Sequence, residues 1–324
     1  MMRDLTCFGD TSVQIADAAS SSSSSGTGGG GGKRGKGSSA AAAAAARGRV
    51  TCIYQARLAD RPCAFSVTWT RGSGGLTGQT AAAAAVSVVA VDAASGDRLC
   101  RVDIKPWLFT KHKGSKSLDI AGGVKVEVFW DLSGAKFVGA SPEPVEGYYV
   151  AVVCGGEMVL LLGDMRKEAH RKMGTGGGRH AVDDDTVLVA RKEHVVGNKA
   201  FSAKAQLCHG GRCHDIVIEC DMAGANENDP CLVINIDRRP VLRVRRLAWK
   251  FRGNQTIVVD GLPVEVFWDV HGWLFGAATS DAVFMFQTCR EPEKPMPWAY
   301  LQIFRENQLQ GHGFSLVIHA WKVE

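Results

Sequence analysis

Basic side chains are concentrated in one short stretch of the chain, where they could bind an anion. Residues 238–252 include seven arginines and lysines and no acidic residue, and Trp249 and Phe251 are interleaved with them. Cationic groups in such an arrangement suit an anionic partner, such as a phospholipid head group, RNA or an acidic protein. We expect the contact surface for this partner to consist of five residues: Arg243, Arg245, Arg246, Lys250 and Arg252.

The same cations have an alternative role as scaffold. Strand alternation places Arg243 and Arg245 on one face, and the adjacent Arg245 and Arg246 suggest a β-bulge. Arginine-rich exposed strands are common at sheet edges, where neighbouring acids pair with them. Glu265 is the acid that a neighbouring strand could place across from Arg243.

A group of cysteines and histidines raises the question of a metal site. Its members are Cys208, His209, Cys213, His214 and Cys220. Zinc sites commonly use two pairs of ligands with short spacings, and the second pair is missing here. The alternative is a hairpin with Gly210 and Gly211 at its turn. We therefore expect no metal ligand in this group.

Recognisable catalytic motifs are absent from the sequence. It contains no G-x-S-x-G, no Walker A sequence and no H-E-x-x-H. Glu127 and Glu265 could act as general bases, but the solvent face of a strand is the ordinary place for an isolated carboxylate. We predict no catalytic residue and no cofactor, although a site assembled from distant loops would leave no local motif.

An internal repeat is the strongest signal in the chain. The hexapeptide Val-Glu-Val-Phe-Trp-Asp occurs at residues 126–131 and again at 264–269. Collinear matches extend over roughly 80 residues, which indicates duplication of a β unit. In each copy an Asp and a later Gly are typical of a turn capped by the Asp side chain. The Trp shares its strand face with two valines, which predicts a core position.

The elements that must position these residues read as strands. From Val50 onward, short segments alternate or are rich in β-branched and aromatic residues, and turn residues separate them. We predict an all-β fold of two tandem homologous antiparallel β modules, packed as a sandwich or barrel-like body. The predicted divisions are a mostly disordered low-complexity segment at 1–49, a first β module at 50–164, a linker or exposed excursion at 165–185, and a second β module with C-terminal strands at 186–324.

Composition and the chain start bear on the compartment. The net charge of +5 is too small to imply a nucleic-acid or membrane partner by itself. Acidic residues interrupt the first 19 residues, so we expect no secretory signal. The longest apolar stretch, residues 148–163, is too short and too interrupted to span a bilayer, so we expect no transmembrane segment. The protein is therefore expected to be intracellular, in the cytoplasm or nucleus, with its ten cysteines mostly free thiols.

Several runs resemble a plant family called domain of unknown function 868. The residues that carry the likeness are 247–257, 260–261, 264–275, 191–197, 7–14 and 313–322. The likeness covers nearly the whole chain outside 18–49. It implies a plant protein, and it implies no activity and no catalytic residues.

Three functional classes follow from these observations. A non-catalytic binding or interaction scaffold is the class that we favour, since duplication without paired catalytic motifs fits a surface-presenting protein. A lipid- or small-ligand-binding β-barrel would have an apolar cavity. An enzyme with an unrecognised site would have a polar cleft with a buried carboxylate or histidine.

Overall fold

The fold consists almost entirely of β-strands, which confirms the predicted all-β class. It is described by a computed structural model. The described residues are 48–58, 61–71, 84–105, 112–120, 123–139, 141–173, 186–207, 211–221, 230–276, 280–288 and 313–322. Residues 1–47 of the low-complexity segment, the 174–185 part of the predicted excursion and residues 289–312 of the predicted second module lie outside these residues.

The N-terminal half forms two main antiparallel sheets and a small two-stranded sheet of β7 and β8. Strands β1 to β4 pair in sequence order, and a second sheet has the order β10-β9-β6-β5. Their facing sides share one core, in which Phe65 and Trp69 from the first sheet pack with Val128 and Val152 from the second. The strands are β1 (Arg49–Leu58), β2 (Arg61–Arg71), β3 (Ala84–Asp92), β4 (Arg98–Ile104), β5 (Lys113–Ile120), β6 (Val124–Asp131), β7 (Lys136–Phe137), β8 (Pro144–Glu146), β9 (Tyr149–Cys154) and β10 (Glu157–Gly163).

The C-terminal half has a corresponding arrangement. Strands β12 to β15 form one sheet in sequence order, and β16 to β19 pair in sequence order in another. Phe201, Ile218 and Leu232 of the first sheet pack against Phe284 and Phe286 of the second. The strands are β11 (Val187–Gly197), β12 (Ala200–Gln206), β13 (Cys213–Asp221), β14 (Cys231–Ile236), β15 (Arg239–Val244), β16 (Arg252–Val259), β17 (Leu262–Asp269), β18 (Asp281–Thr288) and β19 (Ser315–Lys322).

Strand β11 joins the two halves into one nine-stranded sheet. It pairs antiparallel with β1 and parallel with β19, giving the order β16-β17-β18-β19-β11-β1-β2-β3-β4. Each half keeps its own main core on one face of this sheet. A smaller cluster on the opposite face includes Ile53, Ala190 and Val317, and so draws on both halves. Common descent of the two halves from one duplicated module stays a prediction.

Both copies of the repeated hexapeptide occupy equivalent positions. Trp268 is buried, and Trp130 is partly buried against the core of its half, which confirms the prediction for the valine face. Each indole covers a glycine of the neighbouring strand, Gly114 for Trp130 and Gly253 for Trp268, where a Cβ atom would overlap the ring. A larger residue at either position would therefore require the opposing indole to shift.

The predicted turns after the repeat are also confirmed. The Asp131 carboxylate accepts the Ser133 N–H at 3.1 Å, and the Asp269 carboxylate accepts the His271 N–H at 3.0 Å. The two Asp side chains thereby stabilise the turn that follows each strand. The following residues differ between the halves, and in the second half they form a short helix, α2.

Two short helices accompany the sheets. Helix α1 (Arg166–Lys172) packs its buried Ala169 against Tyr149 on the outer side of the β9–β10 sheet. Helix α2 (His271–Phe275) buries Trp273, whose indole N–H donates to the Ala320 carbonyl at 3.0 Å. This hydrogen bond holds α2 against β19 and leaves Phe275 at the surface.

Candidate anionic-partner surface

The basic stretch, residues 238–252, runs along β15 and through the turn that connects β15 to β16. Arg243 is exposed on β15, which ends at Val244, and Arg245 and Arg246 follow the strand. Arg246 has a φ of +56°, and its carbonyl accepts the N–H groups of Trp249 and Lys250 at 2.9 and 3.1 Å. The bulge predicted at 245–246 is therefore wrong: this position is the start of a tight turn, because a left-handed residue reverses the chain direction.

Hydrogen bonds to the core fix the backbone of this turn. The buried Leu247 donates its N–H to the Pro230 carbonyl at 3.0 Å. The Trp268 indole donates to the Lys250 carbonyl at 2.9 Å, and the Val270 N–H donates to the Phe251 carbonyl at 2.9 Å. The turn is thus anchored on both sides while its charged side chains remain exposed.

Aromatic side chains lie beside the cations. Trp249 is 83 % exposed and Phe275 is 56 % exposed, which are unusually high fractions for such large apolar side chains. The ring centroids of Phe251, His271 and Phe275 lie 5.2–5.6 Å apart. We call the following set the basic–aromatic surface: Arg243, Arg245, Arg246, Trp249, Lys250, Phe251, His271 and Phe275.

Among the residues that the structure describes, four of the five predicted cations have no acidic partner. Within the described part of the chain, Arg243, Arg245, Arg246 and Lys250 form no ion pair. Arg252 differs, because its Nε donates to the Asp269 carboxylate at 2.8 Å. Its counterpart in the first half is Lys113, which pairs with Asp131 at 2.8 Å. Arg252 therefore belongs to a scaffold contact found in both halves, and we leave it out of the basic–aromatic surface.

The Arg252→Gln variant is expected to have little effect. The Arg252–Asp269 pair is 58 % and 42 % exposed on its two sides, so we expect its loss to lower the free energy of unfolding by less than about 1 kcal/mol. Affinity for an anionic partner should not change. Urea denaturation and a binding assay on the same variant measure both. A large loss of binding at unchanged stability would place Arg252 in the contact surface after all.

The carboxylates singled out from sequence have ordinary partners. The expected contact between Glu265 and Arg243 is wrong, because these residues lie on β17 and β15, which belong to different sheets. Glu265 instead accepts a hydrogen bond from Asn254 at 2.7 Å. Hydrogen bonds from Lys125 and Ser117 lower the pKa of Glu127, which makes it a weaker base.

The three described members of the cysteine and histidine group lie on β13 and are divided between its two faces. Cys213 is exposed, whereas His214 is 1 % exposed and lies between two carboxylates. His214 Nδ1 is 2.9 Å from Asp237 and Nε2 is 3.0 Å from Asp260, and Arg212 contacts both acids. Cys208 and His209 lie outside the described residues. Among the residues that are described, no three side chains are grouped so that they could bind a metal ion. The sequence analysis did not predict the contacts of His214 with Asp237 and Asp260, because the two acids lie in separate hairpin turns that are distant from His214 in the sequence.

Comparison with known proteins identifies the family. A family model described as a plant protein of unknown function, DUF868, matches residues 45–322. No curated protein and no solved structure gives a match. Among the described residues, none of the helices is both long and apolar enough to cross a bilayer. The match spans most of the chain and confirms the resemblance seen in the Trp-rich segments. The chain therefore belongs to the DUF868 family of plant proteins of unknown function.

Proposed function

We propose that the protein is a non-catalytic binding scaffold whose basic–aromatic surface contacts the anionic head groups of a phospholipid membrane. One observation carries the proposal: a highly exposed Trp249 stands on an anchored turn among four cations that form no ion pair in the described structure. Tryptophan is favoured at membrane interfaces, and nearby cations are attracted to anionic lipids.

The aromatic geometry favours a membrane over the other two anionic partners. Proteins that bind single-stranded RNA present aromatic faces on which successive bases stack. Here Phe251 meets Phe275 edge-on at 83°, and His271 packs close to both, so these rings contact one another. An acidic peptide would pair with the cations, but its charged groups offer little apolar surface against which Trp249 and Phe275 could be buried. A bilayer interface accommodates both the cations and the protruding Trp249 and Phe275.

A ligand-binding barrel receives less support. Both cores are filled by side chains from facing sheets, such as Phe65, Trp69 and Phe284. The hollow beside His214, bordered by Leu207 and Val264, has room for about one water molecule. We therefore propose a surface contact for this protein.

Vesicle binding tests the proposal on the full chain. We expect binding to phosphatidylcholine vesicles only when phosphatidylserine is included, and weaker binding as NaCl is raised, because salt screens the head-group potential. Replacing Trp249 or Phe275 with Ser should weaken binding about fivefold to tenfold, from lost apolar burial.

Three outcomes would overturn the membrane assignment. One is equal binding to vesicles with and without phosphatidylserine. Another is tighter binding to single-stranded RNA than to anionic vesicles at the same salt concentration. The third is tighter binding to an acidic peptide that Trp249→Ser leaves unchanged. Val138→Ser, which removes an exposed apolar side chain in the other half, controls for unspecific effects.

A further inference from the structure

A polar cluster occupies the face of the nine-stranded sheet opposite the two main cores. His194 on β11 and His319 on β19 are directly opposed in register, and their rings stack at 4.8 Å with an interplanar angle of 14°. Asp281 on β18 is opposed to Trp321 on β19 and shares this face. Three consecutive strands thus bring together side chains that lie up to 127 residues apart.

Hydrogen bonds determine which ring nitrogens carry protons. Trp321 Nε1 can only donate, and it lies 3.3 Å from His194 Nδ1, so that nitrogen has the lone pair and Nε2 carries the proton. Asp281 lies 2.6 Å from His319 Nδ1, which therefore donates to the carboxylate. The Nε2 atoms of both rings have no hydrogen-bond partner among the described residues. The His319 side chain is 18 % exposed, and His194 is partly buried.

Two cations, Lys192 and Arg49, lie close enough to His194 to act on its ring electrostatically. Lys192 precedes His194 by two residues on the same strand face, is partly buried, and forms no ion pair with any described residue. Arg49 lies on β1 beside them. Burial, then His319, Lys192 and Arg49, lower the pKa of His194 to about 4, so its ring is neutral near neutral pH. Burial also lowers the pKa of Lys192, while Asp281 opposes that change.

We propose that this face holds an anion site in which Lys192, His194 and His319 bind a small phosphate or phosphate monoester. The Lys192 ammonium and the His194 Nε2–H donate to phosphate oxygens. His319 Nε2 accepts a hydrogen bond from a protonated phosphate oxygen, because the Nδ1 atom of the same ring carries the proton that it donates to Asp281. The site is separate from the basic–aromatic surface and does not depend on the proposed membrane function.

Histidine ring NMR on the full chain tests this site with inorganic phosphate as the probe. At constant ionic strength set with NaCl, we expect saturable shifts of the His194 and His319 resonances and none at His271. Lys192→Gln should raise the half-saturating phosphate concentration at least tenfold, as expected for a lost charge-assisted contact. Lys199→Gln, an exposed change on another surface, should leave it unchanged.

A second variant and a second readout guard against misfolding. Phosphate should raise the thermal midpoint of the parent protein, and this rise should disappear in His319→Gln. If the natural ligand is a free phosphate monoester, glycerol phosphate should displace inorganic phosphate from the site. Displacement by phosphatidate vesicles alone would indicate a lipid head group as the source. The proposal is overturned if no shift occurs, if His271 shifts equally, or if Lys192→Gln and His319→Gln both behave as the parent. Substituting the four cations of the basic–aromatic surface should not alter the phosphate response, which separates this site from the membrane contact.

Discussion

Replacing Arg191 with Met is expected to lower the free energy of unfolding by about 3–4 kcal/mol, because the change leaves the buried Glu193 carboxylate and the partly buried Glu143 carboxylate without their cation. Arg191 donates from Nη1 to Glu143 at 2.6 Å and from Nε to Glu193 at 2.5 Å. The Arg191, Glu143 and Glu193 side chains are only 17, 19 and 9 % exposed. Arg191 lies opposite Cys52 on β1 and Leu316 on β19, so this cluster sits where the two halves of the nine-stranded sheet meet.

Urea denaturation of matched variants measures this effect. Arg101→Met removes a comparable but exposed ion pair with Asp103, and should cost less than about 1 kcal/mol. Combining Arg191→Met with Glu143→Gln and Glu193→Gln should recover part of the loss, because it removes the stranded charges. If Arg191→Met costs no more than Arg101→Met, the cluster is solvated and does not stabilise the junction.

Gly253→Ala is expected to destabilise the second half by about 2–3 kcal/mol through overpacking. The added Cβ would overlap the ring of Trp268. That ring is only 8 % exposed, and its indole N–H is held by the Lys250 carbonyl at 2.9 Å. The indole cannot move aside without losing this hydrogen bond, so the turn that carries Trp249 should shift as well.

Two measurements follow on Gly253→Ala. Denaturation should show the lost stability, whereas Gln255→Val, an exposed change on the same strand, should stay within about 0.5 kcal/mol of the parent. Gly114→Ala should be destabilising in the first half, where the Cβ would lie 2.8 Å from a ring carbon of Trp130. A Gly253→Ala protein with parental stability would show that the Trp268 ring has room to adjust.

Local patterns predicted much of the fold. Alternation of apolar residues indicated strands such as β1, β2 and β6, because side chains on a strand alternate between two faces. The repeated hexapeptide correctly located the core Trp and the Asp-capped turn in each half. The role of β11 as a strand paired with both halves was not predicted, since strand pairing between distant segments leaves no local signal.

The candidate site shows the same limit. The run from Arg243 to Arg252 was visible as a concentration of charge, and the exposure of Trp249 agrees with a surface position. The pairing of Arg252 with Asp269 was missed, as were the packing of His271 with Phe275 and the stacking of His194 on His319. Each depends on which strands become neighbours, and pairing register is a property of the folded chain.

Vesicle affinity of two charge-matched variants tests the proposed membrane contact most directly. One variant changes Arg243, Arg245, Arg246 and Lys250 to Gln. The other changes four exposed cations elsewhere that likewise form no ion pair with described residues: Arg61, Arg98, Lys116 and Lys199.

Both variants lose four positive charges, so they differ only in where the charge is removed. Each cation near an anionic membrane contributes about 1 kcal/mol, so we expect the first variant to bind phosphatidylserine-containing vesicles at least tenfold more weakly than the parent. The second variant should stay within about threefold of the parent, and both should keep the parental thermal midpoint. Equal losses in the two variants would mean that net charge alone drives binding, and would contradict a dedicated basic–aromatic contact surface.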